Sequence, residues 1–210
     1  NGATFSFTGS DTQAVARYEC KLDTAGFSPC TSPLALTGLR DGAHTLQVRA
    51  VDSAGNVEPS PPTHTWTVDT IAPNTAIDAG PPSIGNVTAA TLTFSGSDAN
   101  GIASFECALD AAAFAVCSSP LQLTGLADGA HVIQVRAIDS AGRVDATPAS
   151  HAWTVDLTAP ETSLLTTPEA LSSDPNATIT FSGSDANGIG GYQCALDAGA
   201  FAPCSSPAQY

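Results

Sequence analysis

The sequence predicts an all-β protein made of tandem antiparallel β-sandwiches, and three observations lead there. First, the chain repeats itself: Cys20, Cys107 and Cys194 form one series and Cys30, Cys117 and Cys204 another, each with a period of 87 residues. Trp66 and Trp153 keep that spacing, as do His44 with His131 and His64 with His151. A fixed period marks an array of similar units, and 87 residues suffice for a unit to bury its own core. Second, the apolar residues alternate with polar ones, the period of a half-buried strand. Third, these runs are short and separated by Gly, Pro, Asp and Ser, with no segment of helical period.

The middle unit shows the elements in order. "TAID" (75–78) is a first short strand, and "ATLTFSG" (90–96) sets Leu92 and Phe94 on one face. "SFECALD" does the same with Phe105, Cys107 and Leu109, and "FAVCSSP" returns after a small-residue turn. "LQLTGL" is another short strand, "HVIQVRAID" aligns His131, Ile133, Val135 and Ala137, and "SHAWTVD" closes with Trp153 and Val155 on one side. Seven strands are expected. Trp153 should pack on Phe94 and Val135, with Trp66 likewise on Phe7 and Val48.

The units are joined by "VDTIAPNT" (68–75) and "VDLTAPET" (155–162), each with a proline that fixes φ and biases its predecessor toward extended backbone. Such a joint is a semi-rigid spacer, and the expected arrangement is a rod. The organisation is then residues 1–72 as a unit lacking its first strand, 73–159 as a complete unit, and 160–210 as the N-terminal part of a third. With no methionine in the chain, Asn1 is not expected to be a translational start; the sequence reads as a processed chain or a window on a longer array. A sharper alternative is that partial units complete each other between molecules, as donated strands do.

The net charge is −14 with only six Lys and Arg, which do not cluster. Nucleic acid is excluded as a partner, because neutralising phosphates needs basic patches. No apolar run reaches the roughly 18 residues of a membrane span.

The paired cysteines are staples or sites, and their spacing decides. Zinc ligands and redox dithiols have two to four residues between them, whereas nine residues intervene here and no histidine is near. On adjacent strands of a hairpin the two come within disulfide range. Six cysteines allow 15 pairings, and only Cys20–Cys30, Cys107–Cys117 and Cys194–Cys204 give each unit the same closed bond. Persistent disulfides imply an oxidising compartment, so the chain is expected to be secreted or displayed on a cell surface.

Other recurring polar residues are candidate ligands or catalysts. His44 and His131 follow "DGAH" at the head of a buried strand, where a ring N–H can reach a backbone carbonyl at the preceding corner. "GSDANG" (96–101, repeated at 183–188) fails as an EF-hand loop, since Gly96 stands where the first Asp should be and Glu106 falls one place short of the bidentate position. A turn accounts for its composition. A second calcium option is the joint, where Asp69 or Asp156 would meet Asp52 or Asp139. No nucleophile elbow, zinc-protease helix, P-loop or dinucleotide fingerprint occurs. Glu106 with Asp110 lacks a cleft, and Glu106 is expected to face solvent. No catalytic, cofactor-binding or metal-binding residue is assigned, and no cofactor is expected.

The string F-S-G-S-D, F-E-C-A-L-D, F-A-V-C-S-S-P-L, L-A-D-G-A-H, V-R-A-I-D-S-A-G, W-T-V-D resembles the disulfide-bearing bacterial Ig-like repeats found in tandem in large secreted and surface proteins. The resemblance covers nearly the whole chain. Asp52–Asn56 carries the "D-x-A-G-N" turn, while Arg143 replaces the Asn in the next unit. It implies Ig-like or fibronectin-III-like Greek-key sandwiches and a non-catalytic role in an extracellular stalk, fibre or filament, structural or adhesive, with neighbouring repeats and a cell-surface or matrix ligand as partners. Some similar arrays bind calcium at their joints; Arg143 is a departure there. The alternatives are an accessory module of a secreted enzyme, as spacer or polysaccharide contact, and an Ig-like decoration of a virion or phage tail.

Overall fold

The computed structural model describes residues 1–12 and 14–210. Strands β1 (Gly2–Phe5), β2 (Val15–Leu22), β3 (Ser28–Cys30), β4 (Leu34–Thr37), β5 (Gly42–Asp52) and β6 (Thr63–Val68) come first. The middle segment follows with β7 (Asn74–Ala79), β8 (Ile84–Gly85), β9 (Ala89–Ser97), β10 (Ile102–Leu109), β11 (Ala115–Cys117), β12 (Leu121–Thr124), β13 (Gly129–Asp139) and β14 (Ala149–Val155). The last stretch holds β15 (Glu161–Thr166), β16 (Thr178–Ser184), β17 (Tyr192–Cys194), β18 (Ala202–Cys204) and β19 (Ala208–Gln209). Among the described residues no helix is long and apolar enough to cross a membrane.

The middle segment is a β-sandwich. One sheet runs β12-β9-β7 and the other β11-β10-β13-β14-β8. Between them lie Leu92 and Phe94 from β9, Ile133 and Val135 from β13, and Trp153 and Val155 from β14, all buried in one cluster. The alternation along each strand dictates this, because a period of two places every second side chain on the inner face. Burying each of these side chains contributes roughly 1.5–3 kcal/mol. Gly96 permits the close approach at one end of β9: a Cβ there would stand only 3.1 Å from the Phe105 ring and 3.2 Å from Ala137 Cβ.

Three expectations are corrected. Among the described residues the middle segment has eight strands, not seven; Ile84–Gly85 is too short to show alternation, yet pairs in parallel with Thr154 and Val155. Trp66 meets the ring of Phe5 at 5.0 Å, whereas Phe7 stands edge-on to Tyr18 at 5.1 Å. Both phenylalanines lie on the inner face two residues apart, and Phe5, the counterpart of Leu92, is level with the indole. Glu106 does not stand free in solvent: on the outer face of its sheet it accepts from Arg136 Nε at 2.8 Å and pairs with its terminal nitrogen at 2.7 Å.

Cys-Ser/Thr-Ser-Pro turns out to be a strand-end device. The ladder between β12 and β9 stops at Leu121 opposite Leu92, which leaves the N–H of buried Phe94 beyond it. The hydroxyl of Ser119 accepts that N–H at 3.0 Å. Ser32 accepts from Phe7 at 2.9 Å and Ser206 from Phe181 at 2.9 Å in the same way. A buried backbone donor needs such a partner.

The flanking segments repeat parts of this plan. β3-β2-β5-β6 form one sheet and β1 pairs with β4. In the last stretch β15-β16-β19 form a sheet and β17 pairs with β18.

Candidate functional site

Each cysteine pair is closed. Cys20–Cys30, Cys107–Cys117 and Cys194–Cys204 have Cα atoms 5.7, 5.8 and 5.8 Å apart. The hairpin register sets Phe105 opposite Cys117 and Cys107 opposite Ala115. The bridge therefore runs diagonally between neighbouring positions on the inner face, and both cysteines of the middle pair pack against the core cluster.

The histidines at the heads of β5 and β13 form the centre of a clasp. His131 Nε2 lies 3.0 Å from the carbonyl of Ala127, at the preceding corner. Its Nδ1 lies 3.1 Å from Asp110 Oδ2, while Asp110 Oδ1 accepts from Val132 N at 3.0 Å. His44 repeats the arrangement with Arg40 O and Asp23 Oδ2, both at 2.8 Å. Both ring nitrogens face acceptors, so an imidazolium satisfies both. The carbonyl of Ala127 and then the Asp110 carboxylate raise the pKa of His131, against its burial; Arg40 and Asp23 do the same for His44. Asp110 is held low, chiefly by the Val132 N–H and then by His131. The rings also lie 5.6 Å from Trp66 and Trp153 respectively, within cation–π range. Sequence reasoning found the carbonyl and missed the carboxylate. The signal was the recurrent "C-x-L-D", whose Asp23, Asp110 and Asp197 all take positive φ, from 52° to 54°.

The outer face carries a stack that sequence reasoning also missed. Arg136 lies 4.0 Å over the Phe114 ring and Arg49 3.9 Å over Phe27. Each of these arginines also pairs with a glutamate, Glu106 or Glu19.

At the joint the linker is held from both sides. Thr70 N and Oγ1 donate to the two oxygens of Asp41 at 2.6 and 2.8 Å, so the Asp of "DGAH" fastens the linker to the strand pair it has just left. Leu157 N repeats the contact on Asp128 Oδ1 at 2.7 Å. From the other side, Asn100 Nδ2 donates to Asp69 Oδ2 at 2.9 Å, and Arg143 Nε donates to the carbonyl of Asp69 at 3.1 Å.

Around this point Asp69, Asp98 and Asp139 each offer one carboxylate oxygen within 4.8 Å of the others. Asp69 thus meets Asp139, as one form of the joint option had it, but the third carboxylate comes from the "GSDANG" turn. Asp98 Oδ1 accepts from Asn100 N at 2.7 Å, the hydrogen bond of an Asx turn. Asp52 is not part of this group: its Oδ1 accepts from Asn56 N at 2.7 Å and its Oδ2 from Asn56 Nδ2 at 2.8 Å. At the second joint Asp156 is held low chiefly by the Thr158 hydroxyl, with Asn187 among its donors. Asn187 thereby takes the part that Asn100 plays for Asp69.

No family model matches the chain, and no curated protein matches it. Among solved structures it is similar to the fibronectin(III)-like modules of Clostridium thermocellum CbhA, at 26% identity and a TM-score of 0.42, over 74% of this chain and 85% of that one. It is also similar to the central fibronectin-III array of RIM-binding protein, at 14% identity and a TM-score of 0.31, over 83% of this chain and 70% of that one.

Proposed function

We propose that this chain is a non-catalytic segment of an extracellular protein, working as a structural or adhesive stalk, fibre or filament on a bacterial surface. The observation that carries the reading is the joint. Asp41 fastens the linker at Thr70 from one side, and Asn100 and Arg143 hold Asp69 from the other. A linker bonded at both ends transmits orientation from unit to unit, as a spacer must. A disulfide in each repeat supports an oxidising, extracellular setting. Its partners in this reading are neighbouring repeats and a cell-surface or matrix ligand. A role beside a secreted enzyme's catalytic domain draws less support, because sugar-binding platforms need bare aromatic faces and Phe27 and Phe114 lie under guanidinium groups.

Small-angle scattering of the 210-residue chain in chelator tests the reading. The expected pair-distance distribution has the long tail of a rod whose cross-section is that of a single sandwich. A compact, symmetric distribution, with units folded back on one another, would sink it.

A further inference from the structure

We propose that Asn100 is a site of spontaneous covalent modification, deamidation through Gly101, and that the change unfastens the linker in front of the middle unit. Asn187 with Gly188 repeats the site at the second joint.

The residue after an asparagine governs this reaction. Its backbone nitrogen attacks the side-chain carbonyl carbon, and a Cβ on it obstructs the approach. Asn56, Asn74, Asn86 and Asn176 precede Val, Thr, Val and Ala, whereas Asn100 and Asn187 precede glycine. Asn1 also precedes glycine, but Gly2 is held in the β1–β4 ladder opposite Thr37. Asn100, Gly101, Asn187 and Gly188 lie outside the strands and are exposed. The turn itself demands the glycine: Gly101 has a φ of 89° and Gly188 of 94°, where any side chain is strained. A larger successor would therefore shield Asn100 only by straining the turn.

The step balances with water alone. Gly101 N bonds to Asn100 Cγ, the Cγ–Nδ2 bond breaks, and ammonia leaves with the proton that Gly101 N gives up. Water then opens the succinimide ring at either carbonyl, leaving aspartate or isoaspartate. Gly188 N also donates to the carbonyl of Asp185 at 3.3 Å, a bond it must first give up, so Asn100 carries the test.

The atom that leaves is the one that holds the joint. Asn100 Nδ2 donates to Asp69 Oδ2 at 2.9 Å, and Asn187 is among the donors to Asp156. A carboxylate in its place can only accept. Asp69, Asp98 and Asp139 already offer oxygens within 4.8 Å of one another. Among the described residues, none of the side-chain ion pairs joins a base to them, so a further negative charge is repelled. Isoaspartate also lengthens the backbone of a turn that Asp98 Oδ1 fixes through Asn100 N at 2.7 Å. The hold of Arg143 Nε on the Asp69 carbonyl survives the change, but its partner is gone. New chains thus have a fastened joint and aged ones a loose one.

The test is incubation of the 210-residue chain in mildly alkaline buffer, followed by peptide mapping and by limited proteolysis before Ile71, which is 58% exposed. Conversion at Asn100 should be at least about tenfold faster than at Asn74, Asn86 or Asn176, a barrier lower by about 1.4 kcal/mol. Isoaspartate-specific enzymatic methylation should mark the product, and cleavage before Ile71 should rise in step with it. Asn100→Asp, the straight product, should be cut at least about fivefold faster than fresh parent from the outset. Asn100→Gln keeps an amide but closes the larger ring far more slowly, so its cleavage rate should stay constant through the incubation. Conversion at Asn100 no faster than at Asn74, an Asn100→Asp chain cut like the parent, or cleavage that still rises with time in Asn100→Gln would each overturn the proposal. It stands on the joint's own contacts, and scattering of the fresh chain tests the stalk reading separately, so either can fail without the other.

Discussion

Replacing Trp153 with alanine probes the packing of the middle sandwich most directly. The indole is 4% exposed and shares the core with Phe94, Val135 and Leu92. A tryptophan buries about 150–250 Å², which at about 25 cal/mol per Å² is worth roughly 4–6 kcal/mol. Alanine keeps a little of that, and a cavity adds to the loss, so the cost should be about 3–5 kcal/mol. One feature of the native state works the other way. Trp153 Nε1 is buried with no acceptor among the described residues, a penalty of about 1–3 kcal/mol that the fold already carries. Trp153→Phe deletes that donor while keeping most of the ring, so it should cost no more than about 1.5 kcal/mol. Hydrogen exchange on the peptide covering 129–139 resolves this unit from its neighbours, and Trp66 remains as a separate fluorophore. Alanine should speed the slowest amides by about two to three and a half orders of magnitude, and phenylalanine by at most about one. An alanine variant within tenfold of the parent, or a phenylalanine variant as damaged as alanine, would refute the packing and the account of the orphaned N–H.

Other perturbations separate the remaining contacts. Ser119→Ala strands the N–H of Phe94 and should cost about 1–3 kcal/mol, read by urea unfolding; an unchanged midpoint would show that the hydroxyl is dispensable. Cys107→Ser with Cys117→Ser opens a short loop and should cost about 2–3 kcal/mol, while the dichroism of the folded chain stays that of β-sheet. The clasps predict a pH dependence. His44 and His131 are raised above their ordinary 6.5, so their contribution is complete below that value and is lost as pH rises through the folded values. Asp23 and Asp110 are lowered from 3.8, so theirs holds above that value and fails as pH falls through the folded ones. Melting temperature should therefore crest in mild acid and fall toward alkaline pH, and His44→Gln with His131→Gln should flatten the alkaline limb; an unaltered limb would count against the clasp.

What could be read from the sequence was whatever a short window contains. Alternation in "ATLTFSG" and "HVIQVRAID" placed Leu92, Phe94, Ile133 and Val135 inside because period two is a local property of the strand. The spacing of Cys107 and Cys117 confined their bond to one hairpin. The missing parts depend on partners far along the chain. Arg136 meets Glu106 across 30 residues and Asp110 meets His131 across 21, where no spacing rule reaches. Asp98 belongs to a turn by composition, and nothing near it in sequence says that the turn abuts Asp69, 29 positions earlier. Ser119 sits at the end of the returning run "FAVCSSP", and nothing in that window shows that its hydroxyl serves a strand 25 residues away.

The parallel contact between β8 and β14 has a mechanical meaning. Tension along the chain enters the middle sandwich at its first strands and leaves through the end of β14. Ile84–Gly85 and Thr154–Val155 run side by side in the same direction, so pulling the two ends slides one strand along the other. The bonds from Thr154 N to Ser83 O at 2.9 Å and from Asp156 N to Gly85 O at 2.8 Å are then loaded together in shear, and neither can peel off first as in an antiparallel zipper. The disulfide lies outside this load path, in the β10–β11 hairpin. Once the sandwich yields, it withholds only the loop between Cys107 and Cys117 from the extension, so the middle segment gives way in one nearly full-length step.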